Sequence, residues 1–381
     1  LGCRASLRRR PRHGASLMDF ALSEEQKMLE ASLRGFLADR LPMGRRRAIA
    51  AVGTGHDAEL WTGLVAQGIA GLIIPERHGG AGLGILDAAV AAECLGYHAV
   101  PGPFAACVVM ASLALQASGT EVQQAAWLPK IASGEVRIAV GFASPIGQTG
   151  IAKVALEGTR LTGRVQTAID GGGATHVLMF LENGQPALAA IDAEGVRATL
   201  VSSLDRTRPL LDVSLEGAPA IVLSAANDAL AARTRVLDAG RVMLAADTLG
   251  AAQSMLDQAV AFAKERVQFG RLIGSFQAVK HTLADLATAL EPCRALVWFT
   301  AHAQDCLPDE ARVAALQAKA HLDDVGREVA RLGTEVHGGM GFTDLQGLHF
   351  WWKRIDTNRQ LLGTPERCRH EAALVQGWIS P

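Results

Sequence analysis

Three long stretches without strong helix breakers occupy the last two-fifths of the chain, at about 228–264, 276–304 and 309–336. Helices of this length cannot persist alone in water, and they suit a bundle whose members each span a whole domain. Ahead of them, from about 136 to 225, the pattern changes to short apolar runs: VRIAVGFA, THVLMFL, ALAAID and LLDVSLEG. Gly, Asn-Gly and Asp signals separate these runs, which predicts a small antiparallel β domain. From about 22 to 135 the spacing is helical again. Ser23 followed by Gln26 predicts a capping box, and Met28, Leu29, Leu33, Phe36, Leu37 and Leu41 recur at helical intervals. A second helix carries Trp61, Leu64 and Val65, and a third is predicted over about 85–96. The expected fold class is α+β, mainly α. Its domains would be an N-terminal helical domain (18–135), a middle antiparallel β domain (136–226) and a C-terminal four-helix-bundle domain (227–381).

Composition narrows the function classes. With 381 residues, 49% hydrophobic and 20% charged, the chain can bury sizeable cores. Its 37 basic residues nearly balance 38 acidic ones, so no electrostatic footprint for nucleic acid or an anionic membrane is present. No apolar stretch reaches the length of a bilayer span. Six cysteines (Cys3, Cys94, Cys107, Cys293, Cys306 and Cys368) lack zinc or CxxC spacing and read as reduced thiols, which fits a cytoplasmic location. Residues 1–17 carry five arginines and no acid; they read as disordered leader or upstream sequence, with Met18 as the preferred start over a transit peptide. The glycines of LIIPERHGGAGLG (Gly80, Gly82, Gly84) follow a helical stretch rather than a strand, which rejects a dinucleotide fingerprint.

The run Glu265-Arg266-Val267-Gln268-Phe269-Gly270-Arg271-Leu272-Ile273-Gly274-Ser275-Phe276-Gln277 resembles the RxQFGxxIxxFQ signature of the acyl-CoA dehydrogenase family. His337-Gly338-Gly339-Met340-Gly341-Phe342-Thr343 and the loop with Pro75, Glu76, Gly79, Gly80 and Gly82 match further family segments in the expected order. The resemblance implies FAD as cofactor and α,β-dehydrogenation of an acyl-CoA, with electron-transfer flavoprotein or a similar acceptor. It implies that Arg266, Gln268 and Phe269 hold the adenosine-diphosphate end of a FAD that usually belongs to the neighbouring subunit. Ile273, Phe276, Gln277, Glu335, Val336, His337, Gly338, Gly339 and Thr364 would contribute to cofactor binding. A shared cofactor implies an oligomer, either homomeric or a heterotetramer with a paralogous subunit.

The family's catalytic carboxylate is missing from both usual places. One precedes a Gly-Thr near the C-terminus, where this chain has Leu362; the other corresponds to Gly240. Asp247, seven residues beyond Gly240 on the same helix face, and Glu366 are the alternative candidates. A second reading makes the chain one subunit of a heteromeric dehydrogenase whose base lies on a partner. The run HGGMGFTDLQGLHFWWKR, the following LLGTPERCRHEAAL and SLDRTR at 203–208 resemble that subtype, which includes small subunits such as that of pimeloyl-CoA dehydrogenase. A third is a non-catalytic scaffold that binds FAD or acyl-CoA. The flavin-contacting Thr-Glu-Pro loop is also altered, reading Phe142-Ala143-Ser144-Pro145-Ile146-Gly147, and the Trp-Ile-Thr stretch reads Thr167-Ala168-Ile169. Phe350, Trp351 and Trp352 beside Lys353 and Arg354 are expected to form a bundle helix with an exposed basic end, not a nucleotide platform.

Overall fold

The computed structural model describes residues 21–142 and 154–380. The capping box forms at Ser23 and Gln26 and opens α1 (Glu24–Arg40). Its periodic residues divide: Leu33 and Leu37 are buried, whereas Met28 is 71% exposed. Helices α2 (Met43–Val52), α3 (Ala58–Ala66) and α4 (Ile85–Tyr97) follow. A π-helical segment (Phe104–Ala111) then runs into α5 (Ser112–Ser118), and α6 (Glu121–Ala132) ends this part. No strand precedes the glycine loop at 79–84 among the described residues, as the rejected dinucleotide fingerprint requires.

Among the described residues the middle part holds two four-stranded sheets. One orders β1 (Ile138–Phe142), β4 (His176–Phe180), β5 (Pro186–Ala190) and β8 (Ile221–Val222). The other orders β2 (Ala155–Glu157), β3 (Arg160–Ala168), β7 (Leu210–Pro219) and β6 (Val196–Val201). Pairing is antiparallel except for β1 with β4, which run parallel. Burial explains the sequence pattern. Ala139, Val177 and Met179 face a core between the sheets, while Ile138, Val140, Leu178 and Phe180 face the helical core. Covered on both faces, β1 and β4 read as continuous apolar runs, whereas β7 alternates.

The three long helices are α7 (Ala229–Glu265), α8 (Gln277–Cys306) and α9 (Pro308–His337). Pro292 lies inside α8 without ending it. Short α10 (His349–Gln360) and α11 (Pro365–Val375) complete the chain. α7 is the buried axis, apolar on nearly every side through its middle. It crosses α4 at backbone contact: a Cβ on Gly250 would lie 1.9 Å from the Glu93 carbonyl oxygen, and one on Gly96 would lie 2.0 Å from that of Asp247.

A buried ionic cluster ties the parts together. Arg354 donates to Asp205 (2.8 Å), Asp247 (3.2 Å), Thr207 (2.6 Å) and the Val100 carbonyl (3.0 Å). Arg208 donates to Asp247 (3.2 Å) and Asn358 (2.6 Å) and pairs with Asp170 at 3.4 Å. Arg354 is 1% exposed, so the expected exposed basic end of its helix is wrong at that residue. Two arginines and three aspartates thus meet within one desolvated cluster. Arg46 is buried too, bonded to the carbonyls of His98 and Leu41, its guanidinium 4.7 Å from the Trp351 ring. Cys94, Cys107, Cys293 and Cys368 are buried free thiols. No described helix is long and apolar enough to cross a membrane.

Candidate active site and cofactor turn

Leu362 and Gly240 meet in space. A Cβ built on Gly240 would lie 2.8 Å from Leu362 Cδ1 and 2.7 Å from Met110 Sδ. The two positions at which the sequence resemblance expects a base are therefore neighbours, and side chains of Leu362 and Met110 fill the space between them. Leu362 is 6% exposed and has φ +57°, a left-handed conformation that costs a leucine about 1–2 kcal/mol. Met110 comes from the π-helical segment, an irregularity frequent at functional sites.

Arg241 holds this junction. Its Nε donates to the Leu362 carbonyl oxygen (2.9 Å), and its two terminal nitrogens reach Asp238 (2.7 Å) and Glu371 (2.8 Å). Arg312 also bonds Glu371, at 2.6 Å. Burial outweighs these partners at Asp238 and pushes its carboxyl up to about 6. Close by, Lys319 pairs with Asp323, both fully buried, and reaches the Gly363 carbonyl at 3.3 Å. Burial likewise raises Asp323 to about 6.

Neither alternative carboxylate is placed as a base. Asp247 lies inside the ionic cluster, accepting from Arg208, Arg354 and Asn358, and is 3% exposed. Glu366 points outward in the first turn of α11 and pairs with Arg359 at 2.9 Å. Its own backbone N–H, Thr364 and Arg359 lower its carboxyl, which favours the charged form but leaves it in solvent.

A cavity of about 530 Å³ lies beside the junction, between Phe142 and Phe180 of the sheet and residues of α7, α9 and α11. Among the described residues Arg233, Arg241, Arg312, Arg367 and His370 line it against one acid, Glu371. Phe142 and Phe180 stack at 5.0 Å between ring centroids. Ile169 bridges to Val140 and is buried. Ala143 to Gly147, with Ser144 and Pro145, lie outside the described residues.

The signature after α7 forms a two-residue hairpin. β9 (Val267–Gln268) pairs with β10 (Arg271–Leu272), and the turn residues Phe269 and Gly270 have φ +54° and +76°. Both central residues at positive φ match the twist of a tight hairpin, a conformation that suits glycine or asparagine rather than phenylalanine. Phe269 is 92% exposed, and Arg266 and Gln268 are exposed beside it. Arg271 stacks on Phe276, with its guanidinium 3.8 Å from the ring centroid. Ile273 closes the hairpin by donating to the Arg266 carbonyl (2.8 Å), and exposed Gln277 starts α8.

The end of α9 lies alongside. His337 is buried, stacks on Phe262 of α7 (4.6 Å) and bonds the Gly333 carbonyl. Gly338 and Gly339 are exposed, and a Cβ at either would meet nothing within 4 Å. Glu335 pairs with Arg331, and Val336 is half-buried. Arg266, Gln268, Phe269, Ile273, Phe276, Gln277, Glu335, Val336, His337, Gly338 and Gly339 thus share one end of the bundle. Thr364 does not. It caps α11 and sits near Lys319, eighteen residues and about 27 Å along α9 from His337. An exposed guanidinium, a primary amide, an aromatic face and open glycine backbone suit a nucleotide pyrophosphate approaching from outside the chain.

Sequence reasoning missed Arg241, Met110, Asp238 and Glu371. Only Arg241 carried a signal, as a charged residue inside the apolar stretch 239–246.

Residues 23–135 match the acyl-CoA dehydrogenase N-terminal domain and residues 230–373 the C-terminal domain. Over 94% of its length the chain is 33% identical to acyl-CoA dehydrogenase IpdE2 of Mycobacterium tuberculosis, covering 99% of that protein. A steroid ACAD variant, Tcur3481–Tcur3483, is 29% identical with a TM-score of 0.83, covering 93% of this chain and 98% of that one. Butyryl-CoA dehydrogenase from Megasphaera elsdenii is 25% identical with a TM-score of 0.81, covering 95% and 99%. The chain belongs to the acyl-CoA dehydrogenase family, FAD-dependent oxidoreductases that act on the CH–CH group of acyl-CoA thioesters.

Proposed function

We propose that this chain is the base-less subunit of a heteromeric acyl-CoA dehydrogenase, contributing its hairpin to a FAD whose catalytic carboxylate lies on a paralogous partner. The observation that carries this reading is the junction of Leu362 with Gly240, where two apolar side chains stand in place of a proton acceptor. When bound, FAD supplies the hydride acceptor for the β-carbon. Arg266 would neutralise the pyrophosphate, Gln268 and the Gly338-Gly339 backbone would hydrogen-bond it, and Phe269 would cover the adenosine. Thr364, Phe142 and Ile169 lie at the opposite end and would serve only a flavin belonging to this chain. There the backbone N–H of Leu362 could still polarise a thioester carbonyl, but no side chain at 362 or 240 could take the α-proton. The reading is supported by the relatives as well: the steroid ACAD structure carries a paired name, Tcur3481–Tcur3483.

A scaffold role without turnover is the second reading, favoured by the same missing base. Co-expressing the full chain with its paralogue distinguishes them. The heteromeric reading expects a yellow hetero-oligomer bleached by acyl-CoA, and Arg266→Ala in this chain should release its FAD by removing a contact of about 1.5–3 kcal/mol. A complex that stays colourless favours the scaffold. FAD retained undiminished by Arg266→Ala removes the role assigned to the hairpin.

A further inference from the structure

We propose that the open edge of β6 docks an extended segment of a partner protein in which apolar and acidic residues alternate. β6 is the outer strand of its sheet and, among the described residues, pairs only with β7. The N–H of Glu216 donates to the Gly195 carbonyl over 2.8 Å, and antiparallel bonding then recurs at every second residue. Arg197, Thr199 and Val201 therefore bond β7, while the N–H and C=O groups of Ala198 and Leu200 point away from it. Such an edge is a template for one more strand. The other sheet ends are guarded. β2 and β8 hold only three and two residues, and β1 is bridged by Ile169. β6 has six residues in unbroken register, with neither a proline nor a bulge.

The side chains beside this edge define what it takes. Ala198 and Leu200 line a cavity of about 290 Å³ with Ile191, Leu211 and His56, and Leu200 also borders a second of about 380 Å³. Around them Leu200, Leu204 and Val52 are 47%, 70% and 72% exposed. In an added strand, the residues opposite Ala198 and Leu200 place their side chains on this same face, which selects apolar ones. His56 Nδ1, buried without a hydrogen-bond partner, offers a further polar atom to the incoming chain. The intervening residues fall on the face of Arg197. Its guanidinium, like that of Arg206 beside the second cavity, is exposed and has no acid partner among the described residues. That charge selects carboxylates. A second copy of this chain would bring its own Arg197 and Arg206 to the edge, and like charges disfavour that pairing.

A fluorescent peptide of alternating valine and glutamate, titrated into the full chain, tests this by anisotropy and by hydrogen exchange. The expected result is saturable binding that slows exchange across residues 196–201, with a valine–lysine peptide at least tenfold weaker. No binding at about 1 mM peptide, equal affinity for the lysine peptide, or binding without protection of β6 overturns the proposal. Arg197→Glu with Arg206→Glu, both in solvent, should lower affinity at least tenfold at an unchanged melting temperature. Unchanged affinity in that variant contradicts the proposal. Ala198→Pro removes an outward N–H that β7 does not use, and should abolish binding while the chain stays folded. Undiminished binding by the folded Ala198→Pro chain would count equally against it. Should sedimentation show that this variant splits an oligomer of the chain, the edge belongs to a second copy and the proposal fails. These titrations need neither FAD nor acyl-CoA, so their outcome is separate from that of the hairpin test.

Discussion

Arg241 donates from Nε to the Leu362 carbonyl oxygen over 2.9 Å, joining α7 to a residue 121 positions later whose φ is +57°. The same guanidinium neutralises Asp238 and Glu371. Replacing it by methionine keeps the volume but leaves two acids short of a partner, so Arg241→Met should cost about 3–5 kcal/mol. Urea unfolding measures this, and a loss below about 1 kcal/mol would show that the network contributes little.

Phe269 separates stability from function. An exposed phenylalanine at φ +54° in a two-residue turn is strained, and glycine is not. Phe269→Gly should therefore stabilise the chain by up to about 1 kcal/mol. The same substitution should weaken FAD retention in the hetero-oligomer, because the aromatic cover is gone. Parallel thermal melts and flavin absorbance after gel filtration read both effects.

Arg354 should matter more than its helix position suggests. Arg354→Leu leaves Asp205 and Asp247 without one guanidinium inside a desolvated cluster, a loss of about 3–5 kcal/mol. Lys353, half-buried beside it, has no such network, and Lys353→Leu should change stability by about 0.5 kcal/mol or less. Equal effects of the two substitutions would contradict the assignment.

Asp238 should leave a signature in acid. Its carboxyl is raised from 3.8 to about 6, so the folded state holds a proton that the unfolded state has released between about pH 4 and 6. This group's contribution therefore falls as pH rises through that window and is flat above it. Asp238→Asn removes the slope. The stability difference between variant and wild type should shift in the variant's favour from pH 4 to pH 6, as read by denaturant midpoints; a constant difference would rule this out.

The helices were legible because their signals are local. The capping box at Ser23 and the breaker-poor runs are each set by neighbouring residues, and the boundaries of α7, α8 and α9 fall within about two residues of expectation. The parallel pairing of β1 with β4 was not legible, because a continuous apolar run states burial and not direction. Asp247 looked available for catalysis because its partners, Arg354 and Asn358, lie 107 and 111 residues away. Met110 carried no signal at all. A methionine in an apolar helix reads as packing until the fold sets it against Gly240.

The central claim is that this polypeptide has no proton acceptor of its own. Loading the full chain with FAD and adding acyl-CoA without air, with no partner present, tests it most directly through flavin absorbance. The account predicts an unbleached spectrum over minutes in the isolated chain. Rapid and complete bleaching by the chain alone would contradict it.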